Sequence, residues 1–185
     1  MDPDRDDAAR LRRGDPAGLA GLMGRHQDRL FRYLLRLLGE ETVAEDAFQQ
    51  TWLRVAERIG RYDAARPFGP WLFAVARNLA LDHLRRHRPE SLDEIDEPEA
   101  PGGVDTDPLA HAVARQQSAR LSDVVAGLAP RDREVLSLRF EEDLALSQLA
   151  ETLGVPMPTA KARLYRALAR LRERLLATAP AEAWR

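Results

Sequence analysis

The side chains of this sequence that could do chemistry are mostly arginines, and their clearest arrangement lies near the C-terminus. Residues 155–178 carry six basic side chains and a single acid, Glu173. If the segment is helical, one face is apolar, through Ala160, Leu164, Leu168, Leu171 and Leu175. The opposite face and its shoulders carry Thr159, Lys161, Ala162, Arg163, Tyr165, Arg166 and Arg170. A guanidinium group presents a planar fork of donors, which suits guanine O6/N7 or a phosphate. The predicted chemistry is therefore nucleic-acid binding.

The residues before this helix predict how it is positioned. Leu146, Leu149, Ala150 and Leu153 recur at helical spacing and give a short helix with one apolar face. Gly154 suits the left-handed position that ends a helix, and the prolines at 156 and 158 prevent its continuation. Thr159 is the predicted N-cap of the second helix. Two helices joined by so short a turn form a helix-turn-helix, whose second helix enters the major groove of DNA. The alternative is a solvated face on an ordinary packing helix.

The rest of the chain predicts an all-α fold of two small helical domains joined by a flexible acidic linker. Residues 89–118 hold eight acids, one basic residue and too little apolar area for a core. The predicted divisions are an N-terminal tail (1–16), a first domain (17–88), the linker (89–118), a second domain (119–178) and a C-terminal tail (179–185).

The first domain is predicted to be a three-helix or four-helix bundle, in which three helices can be placed. The first has a leucine-rich stripe from Leu19 to Leu38 and ends at Gly39. The second begins with a capping box of Thr42 and Glu45 and ends at Gly60; its stripe is Ala44, Phe48, Trp52, Val55 and Ile59. The third follows a turn at 61–67, and its inner face is Leu72, Val75, Ala76 and Leu79. Phe68 and Trp71, at its start, are interpreted as core rather than as stacking platforms for bases.

Composition excludes several classes of protein. The chain has no cysteine, which removes disulfides, thiol catalysis and cysteine-bound zinc. No apolar run approaches the ~20 residues of a membrane span, and the N-terminus lacks a signal-peptide pattern, so we expect a cytoplasmic protein without membrane insertion. His83 and His87 are spaced like metal ligands but stand among arginines without a third ligand. With no phosphate loop or nucleophile elbow, we expect no cofactor and no enzyme activity.

Three stretches, taken together, resemble one family. They are "AEDAFQQTWLRV" (44–55), "PWLFAVARNLALDHLRR" (70–86) and the segment 128–172, and the chain is similar to the extracytoplasmic-function (ECF) sigma factors of the sigma-70 family. The resemblance implies that the first domain is region two, which binds RNA polymerase core and melts the minus-ten element. It implies that the second is region four, which binds the minus-thirty-five element. Promoter DNA and the polymerase beta and beta-prime subunits are the implied partners, with an anti-sigma factor as the implied regulator.

The resemblance also assigns residues. Core polymerase contacts are expected on the outer face of the second helix, at Asp46, Gln49, Gln50, Arg54 and Glu57. Minus-ten contacts are expected in the turn and on the third helix, at Arg61, Tyr62, Asp63, Arg66, Arg77, Asn78, Arg85 and Arg86. The minus-thirty-five contacts are the basic face described first. A helix-turn-helix regulator that works without polymerase is the alternative function, and co-purification with core polymerase separates the two.

Overall fold

The computed structural model describes residues 2–87, 121 and 123–178, and within these ranges it contains helices and no strand. The first unit has four helices, α1 Pro3–Arg12, α2 Pro16–Leu38, α3 Glu41–Arg58 and α4 Phe68–His87, with a 3₁₀ turn at Ile59–Arg61. The second unit has α5 Pro130–Leu136, a π-helical turn Ser137–Glu141, α6 Leu146–Leu153 and α7 Met157–Thr178. The predicted all-α class is confirmed. The predicted linker (89–118) and C-terminal tail (179–185) lie outside the described residues.

Helix ends follow local chemistry, although two predicted N-caps are wrong. Gly39 and Gly154 adopt the left-handed conformation at the ends of α2 and α6, with φ of 76° and 64°. α3, however, begins at Glu41, and the hydroxyl of Thr42 donates to the carboxylate of Glu40 instead of capping a backbone amide. α7 begins at Met157, so Thr159 lies inside the first turn. Its amide donates to the Pro156 carbonyl at 2.9 Å.

The core of the first unit lies between α2, α3 and α4. The predicted stripe of α3 is buried at Ala44, Trp52, Val55 and Ile59, with Phe48 only partly covered. On α4 the predicted Leu72 and Ala76 are buried together with Phe68, Pro70, Phe73 and Ala80, whereas the predicted Val75 and Leu79 are only half-buried. The buried surface of α4 is wider than predicted because α4 contacts α6 of the second unit as well as α2 and α3.

The segment predicted as an N-terminal tail contains a helix that packs closely on α2. A β-carbon at Gly18 would lie 2.3 Å from the carbonyl oxygen of Asp7, so only glycine allows this approach. Ala8 is buried in the contact. Arg25 of α2 donates to the carboxylates of Asp4 and Asp7, at 2.7 Å each. The acids that look like a solvated tail in the sequence are therefore anchors for α1.

The second unit has its own small core. Leu128, Val135, Leu138, Leu149, Leu153 and Leu164 are buried there. α6 and α7 are joined by only Gly154, Val155 and Pro156, and both contact each other and the α5 region. α6, the three-residue turn and α7 therefore form the predicted helix-turn-helix.

Candidate nucleic-acid interface

The turn that follows α3, residues 59–67, is held by a dense set of local hydrogen bonds. The amide of Tyr62 donates to the Ile59 carbonyl at 3.2 Å, and the amide of Arg66 donates to the Asp63 carbonyl at 3.0 Å. The Asp63 carboxylate accepts from the Ala65 amide at 2.9 Å. Arg61, Asp63 and Arg66 remain exposed. We call residues 59–67 the recognition turn, because these three predicted minus-ten side chains project from an ordered backbone.

Tyr62 differs from the other predicted minus-ten residues because its side chain is buried, with 3% of the residue exposed. Its ring lies 5.4 Å from the rings of both Phe68 and Trp71, and its hydroxyl donates to the Arg66 carbonyl at 2.6 Å. Burial also raises the pKa of this phenol. The Tyr62 ring is thus not presented to a base, and its contacts hold the two ends of the recognition turn together.

A cavity of about 520 Å³ lies beside the recognition turn. Arg61, Asp63 and Arg66 line one side, and Trp71 of α4 is at its margin. Its other side is formed by Ser147, Gln148 and Glu151 of α6, in the second unit. The guanidinium of Arg66 forms an ion pair with Glu151 across this space. In this arrangement the second unit covers the cavity.

The predicted minus-ten residues of α4 divide into an exposed group and one enclosed residue. Asn78, Arg85 and Arg86 are exposed, and Arg85 pairs with Asp82 on the same helix. Arg77 is enclosed, and its Nε donates to Glu134 Oε1 of α5 at 2.8 Å. The hydroxyl of Tyr33 donates to the same oxygen at 3.1 Å. Burial, with the charge of Glu134, raises the pKa of Tyr33 well above its ordinary value, so it remains a donor.

Other pairs between the units repeat the pattern of a first-unit arginine on a second-unit acid. Arg29 pairs with Glu142 at 2.8 Å and donates to its backbone carbonyl at 2.9 Å. Arg36 pairs with Glu141. Sequence analysis missed these contacts, since the partners lie more than 50 residues apart and no periodicity links them. We call the Arg29, Arg36, Arg66 and Arg77 pairs together the interdomain latch.

The outer face of α3 presents the predicted polymerase contacts. Asp46, Gln49, Gln50 and Glu57 are exposed, and Arg54 is half-buried beside Glu57 at 3.9 Å. Leu53 lies in the same stretch with 57% of its surface exposed, and sequence analysis missed it. The available signal was a large apolar residue placed off the buried stripe of α3.

The basic face of α7 is largely exposed, as its periodicity predicts. Lys161, Ala162, Tyr165, Arg166 and Arg170 are exposed, and Thr159 and Arg163 are half-buried. The ammonium of Lys161 lies 5.9 Å from the Tyr165 ring. Arg170 donates to Asp132 of α5, and this hydrogen bond raises the pKa of the guanidinium.

Arg163 is half-buried because it faces the first unit. It lines a cavity of about 200 Å³ together with Arg77 and Arg85. Two predicted DNA surfaces therefore meet at this cavity while the units are in contact.

No metal or membrane feature accompanies these surfaces. No group of three His, Asp or Glu side chains among the described residues could hold a metal ion. In the same part of the chain, no helix has both the length and the apolar character that a bilayer span needs.

Comparison with known proteins gives the class. Residues 22–90 match the family described as Sigma-70 region 2, and residues 124–173 match Sigma-70, region 4. The ECF RNA polymerase sigma factor SigL of Mycobacterium tuberculosis is 34% identical over 162 residues, which cover 85% of this chain and 89% of SigL. The chain therefore belongs to the ECF sigma factors of the sigma-70 family.

Solved structures agree with this assignment. The structure of CnrH in complex with the cytosolic domain of CnrY has a TM-score of 0.69 at 25% identity, and the match covers 96% of this chain and all of that chain. The sigma factor RpoE from Bartonella quintana, in complex with the anti-sigma factor NepR, shares the fold at 22% identity, with a TM-score of 0.63 and coverage of 81% and 91%. This chain is an alternative sigma factor, a non-catalytic subunit in promoter recognition and transcription initiation. A regulator that acts without polymerase does not account for the region 2 match.

Proposed function

We propose that the recognition turn and the exposed side of α4 bind the minus-ten element. Arg61, Asp63 and Arg66 line the first-unit side of the cavity beside the turn, which is uncovered when α6 moves away, and Arg77, Asn78, Arg85 and Arg86 follow on the adjoining helix. A base can be read on its Watson–Crick edge only after it leaves the stack, and a cavity beside cationic side chains suits that task. Tyr62 contributes by holding the turn.

For the minus-thirty-five element, we propose that α7 enters the major groove with its N-terminal half. Thr159, Lys161, Ala162, Tyr165 and Arg166 cover its first three turns, where a recognition helix meets base edges. Arg163 joins them once the units separate, because in the closed arrangement it faces the first unit. Arg170 lies one turn further on and is held by Asp132, which suits a phosphate contact of fixed direction.

The outer face of α3 is the proposed contact with the beta-prime subunit of core polymerase, and region four is proposed to contact the beta subunit. Asp46, Gln49, Gln50, Arg54 and Glu57 supply polar groups around the exposed Leu53. An apolar centre within a polar rim is a common arrangement in protein interfaces. For the domains we retain the proposed limits of 17–88 and 119–178, and we add α1 to the first domain because it packs on α2.

Promoter binding requires the interdomain latch to open. Arg66 and Arg77 cannot bind DNA phosphates while their guanidinium groups are paired with Glu151 and Glu134. The cavity beside the recognition turn is also covered by α6. Two separately tethered contacts on polymerase raise the effective concentration of each domain at its own element, which favours the open form.

An anti-sigma factor is the proposed regulator, and the cytoplasm, where polymerase and promoters meet, is the proposed site of action. The CnrH and RpoE structures are complexes with a second protein, and the RpoE partner is an anti-sigma factor. In this chain the exposed face of α3 and the region-two side of the latch are the surfaces that such a partner would have to cover.

The observation that carries the proposal is that each of the two family-matched units presents exposed arginines, one set on the recognition turn and α4 and the other on the second helix of the helix-turn-helix. The test is run-off transcription from genomic fragments with core polymerase, with and without the chain. We expect new transcripts that start at fixed positions only when the chain is present. Absence of both core binding and new transcripts would contradict the proposal.

Core binding has its own test. Gln49→Ala combined with Arg54→Ala should weaken the affinity for core polymerase by about tenfold, because interface energy is concentrated in few residues. Arg58→Ala, an exposed residue at the end of α3 outside the proposed set, is the control. Equal affinities of the double variant and the control would show that polymerase binds elsewhere.

A further inference from the structure

Helix α1 reaches the recognition turn through two arginines. Arg12 Nη2 donates to the carbonyl oxygens of Tyr62 and Ile59, at 2.6 and 3.2 Å. Arg5 Nη2 donates to the carbonyl of Ala65 at 3.3 Å. α1 therefore contacts the beginning, the middle and the far side of the turn from which Arg61, Asp63 and Arg66 project.

Arg12 binds carbonyls just past the end of α3, and the Ile59 carbonyl, which also accepts from the Tyr62 amide at 3.2 Å, thereby gains a second donor. α3 ends at Arg58 and tightens into the 3₁₀ turn, and the last carbonyls of a helix lack partners within the helix. A cation at this end is also favoured by the helix dipole. Arg12 is itself exposed, and its guanidinium reaches the turn through these two part-buried hydrogen bonds. The position of the backbone at Ile59 and Tyr62 is thereby fixed from outside the turn.

α1 is held firmly enough to act as a support. Asp4 binds Arg25 at 2.7 Å and the ring Nε2 of the buried His26 at 2.8 Å. Burial alone raises the pKa of Asp4, but the hydrogen bonds from His26 and Arg25 outweigh it and lower that pKa. The His26 ring lies 5.3 Å from the Phe68 ring, and Phe68 packs on Tyr62. A second set of contacts thus connects α1, through α2, to the core side of the same turn.

We propose that α1 is a positioning element for the recognition turn and that Arg12 is its positioning residue, so that α1 determines how sharply the chain discriminates minus-ten bases. The proposal rests on the proposed minus-ten role of the turn. It goes beyond that role because α1 lies outside residues 22–90, the part that matches Sigma-70 region 2. α1 itself makes no proposed contact with DNA or polymerase, so its effect is exerted through the turn.

The first measurement follows the turn directly, by amide hydrogen exchange in the full-length chain. Arg12→Leu should speed exchange of the amides of residues 60–66 by about tenfold, while the amides of α3 and α4 keep their protection. Arg12→Lys, which retains a cationic donor group, should restore part of the protection of residues 60–66. Arg13→Leu is the matched control, because Arg13 is exposed and makes no hydrogen bond to the turn. Unchanged exchange at 60–66 in Arg12→Leu overturns the proposal.

The second measurement uses holoenzyme assembled from core polymerase and each variant. Templates carry either the native minus-ten sequence of a promoter found in the run-off assay or single base changes in it. For Arg12→Leu, we expect the ratio of initiation on native over changed templates to fall about tenfold, with core affinity equal to that of Arg13→Leu. Faster exchange at residues 60–66 together with an unchanged initiation ratio would show that α1 stabilises the fold without affecting base discrimination, and would overturn the proposal. If the wild type gives no transcripts, the proposed function fails, whereas the exchange result still decides whether α1 braces the turn.

Gly18→Ala provides an independent route to the same state. The added β-carbon would collide with the Asp7 backbone, so α1 must move away from α2 while Arg12 stays chemically intact. This variant should reproduce the exchange and discrimination changes of Arg12→Leu. If α1 is displaced, as shown by faster exchange at residues 5–12, and the turn stays protected, the supporting role is excluded.

Discussion

Glu134 and Glu142 are buried carboxylates that pair, in the described part of the chain, with side chains of the other unit. Glu134 accepts from Arg77 and Tyr33, two donors that balance its charge in an enclosed position. Glu142 pairs with Arg29, and its burial raises its pKa in spite of that arginine. Removing one partner from a well-paired buried charge is costly, whereas neutralising a poorly compensated charge is not. The two residues should therefore respond differently to substitution.

Glu142→Gln should stabilise the chain at neutral pH. The folded pKa of Glu142 is above its ordinary value of 4.5, so its charge lowers stability wherever the pH exceeds that folded pKa. This loss vanishes as the pH falls below 4.5, because the carboxyl is then protonated in both states. We expect thermal melting of the variant to exceed that of the wild type at pH 7 and to converge with it near pH 4. As a control, Glu45→Gln alters an exposed carboxylate of α3 and should have little effect. A variant that melts lower at pH 7 would contradict the sign of the shift.

Arg166→Ala should weaken use of the minus-thirty-five element. Arg166 is exposed at the centre of the basic face, and its only hydrogen bond within the described residues is a 3.4 Å contact to the Ala162 carbonyl of its own helix. Loss of a base or phosphate contact from arginine costs about 1–3 kcal/mol, which is a roughly 5- to 150-fold effect on binding. Footprinting and transcription by the holoenzyme measure it, with core affinity unchanged. The control is Arg172→Ala, because Arg172 is exposed on α7 outside the proposed face. An equal effect of both variants would show that the proposed face is not the one that binds the minus-thirty-five element.

At the scale of elements, sequence periodicity predicted α2, α3, α4 and the two helices of the helix-turn-helix, and glycines predicted two of their ends. Gly39 and Gly154 could be placed because positive φ is costly for other residues. Thr42 and Thr159 could not be excluded as caps, since a threonine before an apolar stripe is also compatible with the first turn of a helix. α1 was missed because its acids and arginines indicate a solvated segment unless their partners on α2 are known. The recognition turn was located, but the inward position of Tyr62 depends on packing against Phe68 and Trp71.

Gly154→Ala should destabilise the helix-turn-helix without changing its surface. The site has open space for a β-carbon, so the cost comes only from the φ of 64° and should be about 1 kcal/mol. Gly24→Ala is the matched control, because Gly24 is exposed inside α2 with open space and an ordinary φ. It should stabilise by about 0.5–1 kcal/mol. Denaturant unfolding measures both, and a neutral Gly154→Ala would mean that the turn relaxes.

At the scale of the whole molecule, the contact between the two units has no counterpart in the sequence reasoning. Each pair of the latch joins an arginine at 29–77 to an acid at 134–151. Sequence analysis predicted DNA binding for two of these arginines, Arg66 and Arg77, and assigned no role to the other two or to the acids. Only the relative placement of the units shows that the two sets satisfy each other.

Glu134→Gln combined with Glu151→Gln should open the molecule. These changes remove the acids that hold Arg77 and Arg66 while preserving side-chain shape. The chain has no native cysteine, so fluorophores can be placed through Ala20→Cys and Leu176→Cys, both at exposed sites. We expect lower energy transfer than in the labelled parent, and tighter binding of the free chain to single-stranded DNA. Glu45→Gln with Glu57→Gln, two exposed acids of α3, is the control. Equal energy transfer in the labelled parent, the Glu134/Glu151 variant and the control would show that apolar contacts alone keep the units together.

The sharing of Arg66 and Arg77 between carboxylates and DNA affects how ionic strength should act on this protein. Added salt weakens phosphate contacts through the counterions that DNA releases on binding. The same salt screens the ion pairs of the closed form and so makes opening easier. The two effects oppose each other, so a logarithmic plot of promoter affinity against salt should be shallower than the number of phosphates contacted implies. Variants that lack the latch acids should recover the steeper line.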